Sequence, residues 1–134
     1  MGLVMCAVDR SEEATKVLDA AKATGEPVLA VHVSNSLLGT AVPALIERPE
    51  TDRHIEHGPT GDGLLRAAAR HKPELIVIGT RGRVWPSVAR YVTQRAPCPV
   101  LVVGPQADPT AEPVTRDAFD RGLLRRSKAP VLIA

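Results

Sequence analysis

A glycine turn in the middle of the sequence is the first candidate for ligand chemistry. Residues 74–83 read Glu-Leu-Ile-Val-Ile-Gly-Thr-Arg-Gly-Arg, so an apolar run too short for a typical helix leads directly into Gly79 and Gly82. Such a run is typical of a buried strand in a parallel sheet, where ligands bind beyond the carboxyl ends of the strands. The Gly-x-x-Gly spacing therefore indicates either a phosphate-binding turn or simply a tight bend.

Four other apolar runs alternate with helical patterns and would place this turn at a sheet edge. We predict strands at Leu3–Val8, Val28–Val33, Arg53–His57, residues 75–78 and Cys98–Val103. Helices are predicted from Ser11 to the breaker Gly25, from a cap at Thr60 or Asp62 to about residues 71–73, and over Pro86–Gln94. Ser34–Asp52 is interrupted by Gly39 and Pro43 and predicts an irregular segment with about two helical turns.

Composition restricts the class of protein further. A chain of 134 residues forms one domain of ordinary size, and aromatic residues at 2% leave aliphatic side chains to fill the core. A net charge of +2 without aromatic stacking platforms disfavours nucleic-acid binding. The N-terminal apolar run lacks a basic region and meets a charge at Asp9, which indicates neither a signal peptide nor a membrane span and favours the cytoplasm.

Cysteine and histidine spacings do not predict a metal centre. Cys6 and Cys98 have no zinc or redox spacing, so both are expected to be small core or near-core residues. His54 and His57 are three residues apart, and on a strand that spacing puts them on opposite sides. A solvated strand edge is therefore favoured over a metal site.

The C-terminal part is predicted to be an addition to this α/β unit. We predict a domain over residues 1–104, a Pro-rich linker over 105–116, and a helix with a sixth strand over 117–134. A right-handed crossover would lay residues 131–134 beside the fifth strand of the same chain. Alternatively, this strand adds to a partner's sheet.

Four motifs in the expected order make the chain similar to the universal stress protein family. They are Val8-Asp9-x-Ser11 after the first strand, His32-Val33 at the end of the second, Gly79-Thr80-Arg81-Gly82 after the fourth, and Ala-Pro-Cys-Pro-Val-Leu-Val-Val over residues 96–103. The resemblance spans Leu3–Val103. It implies a doubly wound, mainly parallel, Rossmann-like sheet of five strands in the order 3-2-1-4-5, with helices on both faces. It also implies a homodimer formed through strand five. Because of the added C-terminal segment, we predict a homodimer through either the strand-five edge or the C-terminal strand.

Many members of this family bind ATP between the ends of strands one and four, through the pattern G-x-x-G, nine residues, then G-S or G-T. This chain departs from that pattern, because only three residues separate Gly82 from Pro86, which stands at the place of the third glycine. Proline has no N–H to offer a phosphate, so we expect a full triphosphate cradle to be lost while its opening half is kept. The residues that the resemblance assigns to the nucleotide are Asp9, Val33, Gly79, Thr80, Arg81, Gly82, Ser87 and Val88.

Individual side chains support a binding role better than a catalytic one. Asp9 would accept a hydrogen bond from the ribose, or alternatively cap the next helix, and Val33 would lie near the adenine. His32 lacks a nucleophile or a second acid beside it in these motifs, so a structural hydrogen bond is favoured over a catalytic base. We predict no catalytic residues and no metal ligands, and Mg²⁺ only if a triphosphate binds.

The function expected from the resemblance is that of a cytoplasmic, dimeric stress-response or signalling module that binds ATP or another adenine nucleotide such as AMP. One alternative is a protein-interaction module of the same fold that has lost its ligand. A less favoured alternative is a slow nucleotide hydrolase, for which Asp9 and His32 would be the candidate bases. The shortened arm favours the first alternative over the second, and an unidentified protein partner is expected in either binding role.

Overall fold

Short apolar runs separated by helices form one β-sheet in the computed structural model, which describes residues 2–9, 13–34, 52–80 and 85–134. The strands are β1 (Val4–Ala7), β2 (Val28–Ser34), β3 (Asp52–His57), β4 (Leu75–Gly79), β5 (Val100–Val103), β6 (Val114–Arg116) and β7 (Val131–Ile133). The helices are α1 (Ala14–Lys22), α2 (Thr60–His71), α3 (Trp85–Arg95) and α4 (Arg121–Arg126). The predicted helix start at Ser11 and the predicted helical turns between β2 and β3 lie outside the described residues.

The sheet confirms the predicted strand order and extends it. In the described parts of the chain its seven strands run β3-β2-β1-β4-β5-β7-β6, and the first five of this order are parallel to one another. β1 is central, because Val4 pairs with Val28 on one side and with Leu75 on the other. The carboxyl ends of β1, β2 and β4 consequently meet at one edge of the sheet, where an open α/β sheet binds ligands.

Side chains of the parallel strands point alternately into two apolar layers, one between each face of the sheet and its helices. This confirms the prediction of helices on both faces. Val4, Cys6 and Val8 pack with the buried face of α1. Met5 and Ala7 point the other way, into a larger layer that also contains buried residues of α2, α3 and α4. The predicted helix breaker Gly25 has a φ of 77° after the end of α1, a conformation that favours glycine.

The two cysteines occupy the near-core positions expected for them. Cys6 is fully buried in β1, and Cys98 is half-buried just before β5. Burial raises the pKa of the Cys6 thiol to about 12, against a smaller opposing effect of the Lys22 charge. Burial also raises the pKa of Cys98. Both side chains therefore stay protonated at neutral pH.

The C-terminal strand pairs within its own chain, but in the opposite direction to that expected from a crossover after strand five. β7 is antiparallel to β5, with Val100 opposite Ile133 and Val102 opposite Val131. The reason is that the connection after β5 reverses the chain without a helix and leads into β6, which then joins β7 through α4 as a parallel β-α-β unit. The crossover thus links β6 to β7, and β7 fills the edge of β5.

The interpretation of residues 105–116 as a linker is wrong for residues 114–116, and it misses the packing of the residues before them. Residues 114–116 form β6, which depends on β7 for its pairing. Upstream, Ala107 is buried and the Asp108 N–H donates to the Lys128 carbonyl at 2.9 Å. The C-terminal elements lie so close to this connection that a Cβ on Gly104 would stand 2.0 Å from the Leu124 carbonyl oxygen. Proline-rich composition here marks an ordered connection packed against the domain.

The two ends of α2 are fixed differently from the sequence expectation. Its C-terminus confirms the prediction, since Lys72 takes a left-handed φ of 50° and its N–H donates to the Ala68 carbonyl. At its N-terminus the capping position is Pro59, which makes no side-chain cap hydrogen bond. The prediction that Thr60 or Asp62 caps the helix is therefore wrong. Asp62 instead lies inside the first turn, where a carboxylate is stabilised by the helix dipole.

A cluster of charged side chains joins the edge strand β3 to α2. The Glu56 carboxylate accepts from His54 Nε2 at 2.6 Å and from Arg66 Nε at 3.5 Å, and Arg70 Nη1 lies 3.9 Å away. His54 thus belongs to this cluster, whereas His57 is exposed. The hydrogen bond from His54 is the main cause that lowers the pKa of Glu56. Burial raises this pKa by a smaller amount, and the hydrogen bond from Arg66 lowers it further.

The Glu56 cluster predicts a loss of stability in acid. Since the pKa of Glu56 is lower in the folded chain than its ordinary 4.5, its stabilisation is present above that value and declines as the pH falls below it. We expect Glu56→Gln to lower the free energy of unfolding by about 1 kcal/mol at about pH 6, and by clearly less at about pH 3.5. Urea unfolding at both pH values measures this difference. The control is Glu112→Gln at an exposed position, and an equal loss at both pH values would contradict the prediction.

Candidate functional site

The carboxyl edge of the sheet is held together by a buried histidine. His32 is 8% exposed, and its Nδ1 lies 3.0 Å from the Val8 carbonyl oxygen, so Nδ1 carries the proton and donates. The Val8 N–H in turn donates to the Val31 carbonyl at 2.8 Å. Both backbone groups of Val8 are thereby tied to β2, immediately before Asp9. The structural hydrogen bond predicted for His32 is confirmed.

The first half of the predicted phosphate turn faces α1. A Cβ on Gly79, the last residue of β4, would stand 3.2 Å from Val17 Cγ2, so the glycine lets α1 pack closely on the sheet. Gly79 and Thr80 line a narrow crevice of about 10 Å³, which is room for about one water molecule. The other residues of the crevice are Glu13, Lys16, Val103, Gly104 and Pro105. Arg81 and Gly82 lie outside the described residues.

A larger pocket lies between the first turns of α2 and α3. Its volume is about 390 Å³, within the range of small-molecule sites. It is lined by Pro59, Thr60, Gly61, Asp62, Ser87, Val88 and Tyr91. Two of these residues, Ser87 and Val88, were assigned to the nucleotide from the sequence.

Val33 and Asp9, which were also assigned to the nucleotide from the sequence, do not line the larger pocket. Val33 packs beneath α2, where a Cβ on Gly63 would stand 2.7 Å from Val33 Cγ1. Asp9 follows β1 and is half-buried, but neither it nor Val33 is among the pocket residues. The structure therefore brings Ser87 and Val88 together in the larger pocket, and Gly79 and Thr80 in the narrow crevice.

The first turn of α2 and Tyr91 are pocket residues that the sequence reasoning did not identify. The sequence Thr-Gly-Asp-Gly over residues 60–63 was a signal for this turn. Glycine lowers the stability of a helix, so two glycines in a first turn indicate that a neighbour approaches the backbone closely. Gly61 meets this condition, since a Cβ there would stand 2.7 Å from Tyr91 Cδ1. Nothing in the sequence pattern connects Tyr91 to that turn, because the two belong to different helices.

Tyr91 is held by polar contacts as well as by packing. Its hydroxyl donates to Asp62 Oδ1 at 2.5 Å, and the Arg95 guanidinium carbon lies 3.8 Å from the ring centroid. The hydrogen bond to Asp62 is the first cause that raises the pKa of Tyr91, followed by burial and by the Asp62 charge. The phenol therefore stays protonated and remains a hydrogen-bond donor at neutral pH.

The described residues of the pocket lining offer polar groups that can bind a ligand. They are the hydroxyl of Ser87, the carboxylate of Asp62 and the phenol of Tyr91. In the described parts of the chain, no three or more His, Cys, Asp or Glu side chains are grouped so that they could hold a metal ion. No helix within those parts has the length and apolar character needed to cross a membrane.

Comparison with known proteins connects this fold to one family. Residues 43–104 match the model of the universal stress protein family. Two similar crystal structures are a universal stress protein in complex with cAMP, with 19% identity and a TM-score of 0.60, and a universal stress protein family protein from Arabidopsis thaliana with AMP bound, with 18% identity and a TM-score of 0.55. The first similarity covers 75% of this chain and 95% of that one, and the second covers 76% and 90%. No curated protein matches the sequence.

Proposed function

We propose that this chain, whose residues 43–104 match the universal stress protein family, is a binding module that takes an adenine nucleotide in the pocket between α2 and α3. Structures similar to it hold cAMP and AMP, which supports a nucleotide with a single phosphate as the ligand. The observation that carries the proposal is the 390 Å³ pocket, because it contains Ser87 and Val88 and is bounded by the first turns of two helices. Two helix N-termini present N–H groups and positive dipole ends to an anion.

We propose further that the phosphate lies at the α3 side of this pocket. Ser87 in the first turn of α3 offers a hydroxyl, and it is exposed to the pocket mouth. The connection from β4 to α3 is too short to supply the donors of a full triphosphate arm, and Pro86 lacks an N–H. Among the described residues, the crevice at Gly79 and Thr80 has a volume of only about 10 Å³. AMP is therefore expected to bind at least as tightly as ATP.

In the cell we propose a cytoplasmic stress-response or signalling role exercised through a homodimer. Because β5 already pairs with both β4 and β7, a contact through the C-terminal strands is favoured over one through strand five. A ligand-free interaction module is the second candidate, and the short connection between Gly82 and Pro86 favours it over a nucleotide hydrolase.

Calorimetric titration with AMP, cAMP, ADP and ATP tests the nucleotide proposal. We expect AMP to bind at least as tightly as ATP and to keep its affinity in EDTA, because no triphosphate has to be neutralised by Mg²⁺. Ser87→Asp should weaken AMP binding by at least about tenfold, since it places a carboxylate beside the phosphate. The matched control is Thr15→Asp, an exposed position in the first turn of α1 on the opposite face of the sheet.

Two results would decide against this function. The absence of heat and of a thermal shift with all four nucleotides at millimolar concentration would leave the ligand-free interaction module. Equal AMP affinity in the wild type and in Ser87→Asp would mean that the phosphate does not lie at α3.

A further inference from the structure

Three independent contacts fix the ring of Tyr91 at the α2 side of the pocket. Its hydroxyl donates a hydrogen bond to Asp62 Oδ1, and the Arg95 guanidinium covers the ring. Its Cδ1 packs so close to Gly61 that a Cβ on Gly61 would clash with it. Arg95 Nη1 also donates to the Tyr91 carbonyl at 3.4 Å, so the cation is itself anchored. A side chain held in this way loses little further freedom when a ligand arrives, which is the condition for discrimination between similar ligands.

The Asp62 carboxylate gives this side of the pocket a chemical preference. It is the one acidic side chain among the described residues of the lining, and an ionised carboxylate only accepts hydrogen bonds. The Tyr91 hydroxyl occupies one of its roughly four lone-pair directions and orients the group without saturating it. A phosphate would be repelled here, whereas an uncharged N–H or O–H donor would be bound.

Resting on the nucleotide-binding function proposed above, we propose that Asp62, positioned by Tyr91, accepts a hydrogen bond from an uncharged donor of the nucleoside and so sets both its orientation and its identity. A ribose hydroxyl and the adenine amino group are the two donors of this chemistry that the ligand carries. With the nucleoside at α2, the phosphate is directed towards Ser87 at α3. Asp62 is then a specificity-determining residue, and Tyr91 is a positioning residue.

The test compares AMP, 2′-deoxy-AMP and inosine monophosphate, which lacks the amino group, by titration calorimetry. We expect the wild type to bind one of the two analogues about tenfold more weakly than AMP, because the analogue leaves the carboxylate without its partner. Asp62→Ala should lower the AMP affinity to that of the discriminated analogue while leaving the analogue's own affinity unchanged. Asp62→Asn keeps a carbonyl acceptor and should restore part of the discrimination.

Tyr91→Phe isolates the positioning role. It retains the ring against Gly61 and Arg95 and removes only the hydroxyl, so we expect the ratio of AMP to analogue affinity to fall by a factor of about three while the unfolding midpoint changes little. For the Asp62→Asn variant the control is Asp19→Asn, which makes the same change of charge at an exposed position of α1.

Each outcome decides between the two proposals. If the wild type binds AMP but binds all three nucleotides equally, or if Asp62→Ala weakens all three by the same factor, the inference about Asp62 is overturned and the nucleotide function stands. If the wild type binds no nucleotide, both are overturned.

Discussion

Replacing Gly104 by alanine is expected to lower the free energy of unfolding by about 3 kcal/mol, because the new Cβ would stand 2.0 Å from the backbone oxygen of Leu124. A backbone atom cannot rotate away, so α4 would have to move off the sheet. Leu124 is 2% exposed and part of the larger apolar layer, and its displacement would open that layer to water. Urea unfolding followed by far-UV circular dichroism measures the effect.

Gly122→Ala provides a matched control within the same C-terminal segment. A Cβ at Gly122 in α4 would meet only side-chain atoms, the nearest being Arg126 Nη1 and Asp120 Oδ1 at 3.4 Å. Since alanine is favoured over glycine in a helix, this variant should be as stable as the wild type or more stable by up to about 1 kcal/mol. A Gly104→Ala protein with wild-type stability would show that α4 does not lie against the β5 end as described.

Ending the chain at Arg126 is expected to destabilise it by about 3–6 kcal/mol and to make it self-associate. This change removes β7, whose Val131 and Ile133 are buried, and each contributes about 1.5–3 kcal/mol by burial. It also leaves β6 without a partner and exposes β5, a wholly apolar strand, as an open edge. A loss of this size is comparable to the total stability of many domains.

Static light scattering over a range of concentrations and urea unfolding at one fixed concentration together test this expectation. The full chain should have the mass of a dimer, whereas the shortened chain should reach larger masses that rise with concentration. A chain that ends at Ile133 is the control, because it loses only the exposed Ala134 and its hydrogen bond to the Arg116 carbonyl. If the shortened chain keeps both the mass and the unfolding midpoint of the full chain, β7 is not part of the cooperative fold.

The central fold was accessible from the sequence because its determinants are local and apolar. Runs such as residues 4–8 and 75–78 are too short for helices and too apolar for a half-exposed strand, which leaves a doubly covered parallel sheet. The order of these strands came from the family resemblance. β6 could not be foreseen, since Val-Thr-Arg lies among prolines without a strand period and becomes a strand only by pairing with β7.

The candidate site was foreseen in part. Ser87 and Val88 were placed by alignment to a family motif, and both line the larger pocket. The Asp62 and Tyr91 contact joins residues 29 apart on two helices, so it depends on how α2 and α3 pack, which no local pattern encodes. Gly79 shows the opposite case, because a residue selected for ligand chemistry also serves the packing of Val17 from α1.

The different burial of the two cysteines makes it possible to measure how often the sheet opens. A thiol reagent meets Cys98, half-buried before β5, at a rate set by local motion, whereas Cys6 in the central strand reacts only when the sheet itself separates. The time course of the second modification therefore reports how often the folded chain opens globally. A ligand that binds only the folded chain lengthens the interval between openings by the factor 1 + L/Kd, where L is the free ligand concentration. Counting modified thiols in a mass spectrometer would thus measure the proposed nucleotide binding without an added chromophore.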